Sequence, residues 1–499
     1  MSRGKKIIKG SMLNVVQLVL QIGISFFMMP FLVHSLGDKN YGLWSLVATF
    51  IGYYGLFDLG ISAAVARFVS RTVGNQDENE RRIITSTSFY IFSVLGGCAL
   101  LGTFLFVFLA KYFVNTPDDL SVFRIILFIT GFTLSISFPM RVFGGTLVAN
   151  LRYDINSWIH IGFAIARTVM IVYVVQSGYG IIGMSLVVSS STILSSLLII
   201  HFAYKIDKGL SIALSFFRMN CVKELFGYSI FAFLGRIGDL LKYSVDTYVI
   251  AKFINLVAVT HYSVAMNLTQ YFIQFVNAFG GRVLSPVFSQ EEGKGDFDSL
   301  RKKFMFTTKI CSFVAFFLGI MIMLYGRPFI QRWMGNEYLD AYPVLFLLTI
   351  PTMLGLSQTP LFGALYGVSK HYIITYVNIA EGLSNLVLSI ILVKDYGIIG
   401  VAIGTAIPMT ITTMFIYPYY ICKVLTLSLM EYYGALLKSL IIAIISLLLI
   451  WLLLKHKITP SYPNIVFFSA IQCIIYWAAV IIFGFSNDER KYLYGHFRA

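Results

Sequence analysis

The residues able to do chemistry in this sequence are ionisable side chains set in apolar runs. Asp58, Arg141, Arg167, Arg236, Asp239, Lys242, Asp246, Arg282, Lys309 and Glu381 all fall where their neighbours are hydrophobic. In lipid each costs about 2.5–3.5 kcal/mol on insertion scales, so each must line water, pair with another charge or snorkel to a headgroup. The densest set is GRIGDLLKYSVD, where Arg236, Asp239, Lys242 and Asp246 are spaced three, three and four apart and share one face of a helix. They can neutralise one another as a ladder of ion pairs. Alternatively, Asp239 and Asp246 hold Arg236 and Lys242 in place for an anionic substrate.

Arg141 follows Pro139 in SISFPMRVFGG, where the missing N–H can bend the helix. Its guanidinium fork matches a phosphate bidentately and keeps its charge, and snorkelling is the alternative. Arg167 and Arg282 extend this cationic substrate-binding set, although Arg282, like Arg67, lies near the inner surface where snorkelling suits it better. Asp58, in LFDLG, and Glu381 are the acids best placed to couple transport to a proton or sodium gradient, or else to lock one conformation through a salt bridge. Asp239 and Asp246 join them as coupling or gating acids. Asn378 and Asn385, one turn either side of Glu381, offer polar groups to a sugar or a cation. The histidines are isolated, and the five cysteines are scattered and never in a CxxC spacing, so neither a catalytic centre, a metal site nor a disulfide framework is expected. No cofactor beyond a coupling H+ or Na+ is implied.

The elements that must position these groups follow from composition. A hydrophobic content of 58%, 12% charged residues and a mean hydropathy of +0.79 exclude a soluble protein. They specify an all-α polytopic membrane protein of about fourteen transmembrane helices. Six are predicted near 11–35, 41–68, 83–110, 122–149, 155–176 and 180–204; six more near 225–252, 256–288, 304–331, 341–367, 372–393 and 397–422; and a last pair near 432–454 and 464–484. The apolar run from the N-terminus continues past Phe31 without a cleavage site, so it is read as a retained span. The formal charge of +15 resides in alternate loops: 22 Lys and Arg on one side against nine on the other. That is an orientation signal with both termini cytoplasmic, and no nucleic-acid partner is expected.

The chain also repeats itself. At a shift of 221 Tyr41 meets Tyr262, Gly60 meets Gly281, Asp77 meets Asp298 and Arg81-Arg82 meet Lys302-Lys303; at 217 the pentapeptide YGIIG of Tyr179–Gly183 recurs as Tyr396–Gly400. Two six-helix lobes of like orientation follow, residues 1–204 and 224–422, with 423–499 holding helices 13 and 14 and a cytoplasmic tail. Between the lobes, 205–223 mixes basic and apolar residues and is read as an amphipathic cytoplasmic connector drawn to anionic lipid. A hydrated cavity lined by the intramembrane charges is expected between the two lobes.

The basic start, the GDKNYGLWSL turn into helix 2, the LFDLG element, the arginine-rich loop after it and the helix count resemble the bacterial polysaccharide-export flippases. These are the O-antigen-type transporters of the MOP superfamily, which also holds the MATE exporters and the lipid II flippases. The resemblance implies a flippase that carries undecaprenyl-diphosphate-linked oligosaccharide across the inner membrane by alternating access, for O-antigen, capsule or exopolysaccharide synthesis. Its implied partners are that polyprenyl-diphosphate-linked oligosaccharide, membrane lipids, and the polysaccharide polymerase and assembly proteins. A MATE-like cation-coupled drug or solute antiporter is the alternative. A polymerase or ligase fits less well, because the outer loops are short.

Overall fold

The computed structural model describes residues 3–75, 77–114, 116–368, 370, 372–454, 459–486 and 489. For 3–11, 14, 63, 74, 227–232, 234–236, 239, 243, 278–287, 450, 453 and 454 the description extends to the backbone alone. Among the described residues every regular element is a helix. Nine are long and apolar enough to cross a membrane, ten if Ala341–Ser357 and Thr359–Gly367, bent by 42° at their junction, form one broken span. One of the nine, Tyr372–Leu425, has 54 residues, far more than one crossing of a hydrocarbon core about 30 Å thick requires. Gly397, at φ 57° and ψ −135°, breaks it between the two spans predicted there.

Packing divides the chain into two compact units, Met1–Leu240 with Ala251–Thr260, and Leu241–Ile250 with His261–Ala499. The first holds α1 (Arg3–Leu36), α2 (Asp38–Tyr54), α3 (Ile61–Asn75), α4 (Glu78–Leu109), α5 (Pro117–Ala149), α6 (Tyr153–Gln176) and α7 (Gly180–Ile206), and takes in most of α8 (Met219–Tyr243). The single helix predicted over 41–68 is two. α2 runs into a 3₁₀ turn, Gly55–Asp58, and Leu59 and Gly60 then take left-handed φ values of 50° and 74° before α3 starts. α5 continues through Pro139 without a break. Proline lacks the N–H that would have reached the Ser135 carbonyl, and that carbonyl faces Gly96 of α4, where a Cβ would sit only 2.5 Å away. Glycine therefore lets α4 close on α5 at the point the proline frees. Nearby, the buried Tyr54 hydroxyl is satisfied by Thr103 Oγ1 at 2.5 Å.

Between α7 and α8 the connector is a strap. After α7 the chain makes a turn closed by the Leu210 N–H donating to Asp207 O (3.1 Å) and then runs extended apart from one 3₁₀ turn, Leu214–Phe216. It lies on the start of α4, where Arg82 Nε donates to Gly209 O (3.1 Å) and Ser86 Oγ donates to Ser211 O (3.1 Å). Thr87 Oγ1 accepts from the Arg218 N–H at 3.2 Å. Side chains of α4 thus satisfy backbone groups that a helix would have satisfied internally.

The second unit comprises α9 (Val245–Phe253) over most of its length, the body of α10 (Leu256–Gly293), α11 (Phe297–Trp333), α12 (Ala341–Ser357), α13 (Thr359–Gly367), α14 (Tyr372–Ile411), α15 (Tyr417–Leu425), α16 (Leu429–Leu454) and α17 (Tyr462–Ala479). The helices beyond residue 423 pack on α11: Ser312 Oγ donates to Ser439 Oγ (2.8 Å), and Tyr476 OH donates to Phe313 O (2.8 Å).

The internal repeat has structural content in both units. Asp77 caps α4 through the Glu80 N–H (2.8 Å), and Asp296 caps α11 through the Ser299 N–H (2.9 Å). One turn on, Arg82 binds the carbonyl of Gly209, and Arg301 Nε binds that of Leu425 at 2.6 Å. Both pairs are 219 residues apart, so at this loop the register lies between the two shifts read from sequence, and Asp77 corresponds to Asp296 instead of Asp298. In YGIIG the first glycines, Gly180 and Gly397, share φ 57°. The second glycines meet the preceding helix at van der Waals limits: a Cβ at Gly183 would be 2.5 Å from Val174 Cγ1, and one at Gly400 would be 2.2 Å from Leu392 O.

Candidate functional site

In the first unit, the break between α2 and α3 delivers Asp58 to α5. Arg141 Nη1 donates to Asp58 Oδ1 at 3.0 Å, and Ser62, at the start of α3, donates its hydroxyl to the same oxygen. The guanidinium also lies 4.3 Å over the Phe138 ring. The pair is only partly covered, with side-chain exposures of 33% for Arg141 and 18% for Asp58. Arg141 therefore keeps donor capacity on a face open to a ligand. Arg167 is half-buried on α6.

The second unit holds a more enclosed array. α8 ends at Tyr243 and α9 starts at Val245, so Lys242 and Asp246 sit on either side of a helix break. They turn to different partners. Lys242 Nζ pairs with Glu381 Oε1 of α14 at 2.6 Å, with side-chain exposures of 9% and 2%. Glu381 Oε2 accepts from Thr412 Oγ1 at 2.7 Å. Asp246 is fully buried and accepts from the hydroxyls of Tyr262 and Thr405, the latter at 2.8 Å, and from Asn385 Nδ2 at 3.1 Å. Asn385 joins the two groups, because its Nδ2 also donates to the Lys242 carbonyl at 3.2 Å while its Oδ1 accepts from Ser389 at 2.8 Å.

Thr412 opens a π-helical turn, Thr412–Ile416, between α14 and α15. Such turns inside spans are often functional. Beyond it Tyr417 OH donates to Asn378 Oδ1 at 3.0 Å. Asp246 is thus ringed by hydrogen-bond donors, the Tyr262 and Thr405 hydroxyls and the Asn385 amide, a setting in which a buried carboxylate can take up or release a proton. Among the described residues no cluster of three His, Cys, Asp or Glu could hold a transition metal. All five cysteines are free thiols.

The residues singled out from sequence thus fall into three groups. Asp58 meets Arg141, Lys242 meets Glu381, and Asp246 meets Asn385, while Asn378 joins the same helix face as Glu381. The side chains of Arg236, Asp239 and Arg282 lie outside the described residues. Of the four charged positions in GRIGDLLKYSVD only Lys242 and Asp246 have described side chains, and these bind elsewhere, Lys242 to α14 and Asp246 to α10 and α14. Sequence reasoning missed Ser62, Tyr262, Thr405, Thr412 and Tyr417. Only Tyr262 carried a signal, as the repeat partner of Tyr41.

Two units of helices, nine of them among the described residues long and apolar enough to cross a membrane, define a multi-pass membrane protein. A family model described as "Polysaccharide biosynthesis protein" matches residues 7–292, more than half of the chain, and a model described as "MatE" matches 232–391. The chain belongs to the polysaccharide biosynthesis protein family. It is 22% identical over 427 residues to the uncharacterized membrane protein EpsK of Bacillus subtilis, covering 82% of each chain. It is 23% identical over 421 residues to a putative O-antigen transporter of Shigella flexneri, covering 83% of this chain and 97% of that one. Its fold is that of the lipid II flippase MurJ in an inward closed conformation, with a TM-score of 0.73 at 16% identity over 99% of this chain and 100% of the other.

Proposed function

We propose that this transporter is a flippase that moves undecaprenyl-diphosphate-linked oligosaccharide from the inner to the outer leaflet of the cytoplasmic membrane by alternating access, with both termini cytoplasmic. The observation that carries the reading is Arg141: a guanidinium held by Asp58 within a span yet one-third exposed, in a chain of the polysaccharide biosynthesis family. A diphosphate needs such a donor fork, already oriented and still open. Arg167, Arg236, Lys242 and Arg282 are the other members of the cationic set read from sequence, and Lys242 is held by Glu381 until that carboxylate is drawn away. The Shigella relative's description as an O-antigen transporter and the MurJ fold support a lipid-linked saccharide as cargo.

Coupling to H+ or Na+ we place at Asp246, because Asp58 and Glu381 are held by bases while Asp246 is met by hydroxyls and an amide. The domain plan is that read from sequence, with a six-helix lobe in 1–204, a second in 224–422 and the last two helices beyond 423. The polymerase that extends the exported repeat is the expected partner. The test is translocation of a fluorescent undecaprenyl-diphosphate oligosaccharide by the purified protein in proteoliposomes. Wild type flips it, Arg141→Ala does not although it folds, and equal rates would overturn the assignment. The MatE match over 232–391 favours a drug antiporter as the second reading; flux of cationic drugs without glycolipid flux would establish it.

A further inference from the structure

We infer that the foot of α7 is a binding site for an anionic phospholipid headgroup, with Lys205 and Lys208 as its phosphate ligands. α7 presents an exposed apolar stripe, Leu194, Leu197 and Leu198, at 53%, 48% and 39% exposure. In a chain that crosses the membrane, such a stripe faces acyl chains. Following the stripe by turns of 3.6 residues leads to Tyr204, 44% exposed, and then to the exposed Lys205. An aromatic ring at the boundary followed by a cation is the order in which a lipid presents its glycerol region and its phosphate.

The depth agrees. The apolar helix 78–112 beside the strap has 35 residues, about 52 Å at 1.5 Å each. It therefore overruns a hydrocarbon core of about 30 Å and carries its ends into the headgroup zone. Arg81 and Arg82, which hold the strap, sit at that end.

What leaves the lysines available is the fate of Asp207, the one acid between them. It is 5% exposed, turned inward to Arg81 Nε at 3.2 Å, and its Oδ1 accepts from the Gly209 N–H at 3.2 Å. The strap thus buries the carboxylate that would otherwise neutralise Lys205 and Lys208, and leaves two exposed cations three residues apart at the foot of α7. A lipid held there is not cargo; it anchors the strap to the membrane.

Native mass spectrometry of the purified full-length protein, titrated with phosphatidylglycerol or phosphatidylcholine, tests the site without reference to membrane sidedness. Wild type is expected to bind its first phosphatidylglycerol more tightly than phosphatidylcholine. Lys205→Gln/Lys208→Gln will weaken phosphatidylglycerol about 5- to 30-fold and leave phosphatidylcholine unchanged, while Lys205→Arg/Lys208→Arg will retain both. Unchanged phosphatidylglycerol binding in the glutamine variant overturns the site, as does an equal loss of both lipids. Displacement of phosphatidylglycerol by farnesyl diphosphate at equal concentration also overturns it, because the lysines would then belong to a cargo path.

Discussion

Glu381→Ala removes two interactions at a position only 2% exposed: the ion pair to Lys242 at 2.6 Å and the hydrogen bond from Thr412 at 2.7 Å. Breaking a buried pair from one side costs about 3–5 kcal/mol, because the remaining charge stays desolvated without its partner. Thr412 adds little to that loss, since its hydroxyl also donates to Met409 O at 3.0 Å and is not orphaned. Lys242→Met is expected to cost a similar amount. Lys242→Met/Glu381→Leu removes both charges and replaces them with volume, so most of the loss returns, a coupling of at least about 2 kcal/mol in the double-mutant cycle whose single variants are Lys242→Met and Glu381→Leu. The assay is the midpoint of thermal denaturation in detergent, followed by glycolipid translocation in proteoliposomes. The double variant is expected to be stable and inactive. If it is no more stable than either single variant, the pair is not a buried electrostatic unit; if it transports at the wild-type rate, Lys242 has no part in handling cargo.

A Cβ at Gly42 would lie 2.0 Å from the Leu256 carbonyl; Gly42→Ala is expected to cost about 1–3 kcal/mol, whereas Gly97→Ala, with nothing within 4 Å, leaves the denaturation midpoint unchanged or raised. Lys303, with Ser299 and Lys294, holds the Glu291 carboxyl down to about 2. A carboxylate depressed on folding stabilises fully above its ordinary value near 4.3 and loses that contribution as pH falls towards 2. The difference in hydrogen exchange over 289–303 between wild type and Glu291→Gln is therefore expected to be constant above about pH 4.5 and to shrink below it. Ending the chain at Phe485 removes Glu489, whose carboxylate pairs with the buried Lys309 at 2.7 Å; thermal stability will fall, and Lys309→Met in the shortened chain will restore it.

Helix positions were legible because apolar runs of span length admit no other backbone in lipid. The breaks were less so. LFDLG contains the glycine that ends the turn at Gly60, but Leu59 at φ 50° is a tertiary imposition that no propensity announces. YGIIG was legible as a repeat because both copies solve one steric problem, a left-handed glycine followed by a close approach. The charged positions were found from their cost in lipid, yet their partners were not, because Arg141 lies 83 residues from Asp58 and Asn385 lies 139 from Asp246. A helical wheel pointed Lys242 and Asp246 the same way; the break at Ser244 sends them to different neighbours. The connector's mixed composition showed its amphipathic character but not its path, which is set by Ser86 and Thr87 binding its backbone.

The wide turn at Thr412–Ile416 decides more than local shape. In an ordinary α-helix, side chains five residues apart diverge by about 140°, so Thr412 and Tyr417 would address different surfaces. The inserted residue resets the phase, and both reach the same face of α14, Thr412 to Glu381 and Tyr417 to Asn378. Were that turn to tighten to regular α-helix, everything beyond it would rotate by roughly one residue's angle, about 100°, and only one of the two bonds would survive. The segment 412–417 is in this sense a phase-setting element: its winding number states whether the acid of the Lys242 pair and the neighbouring asparagine are held together or released separately.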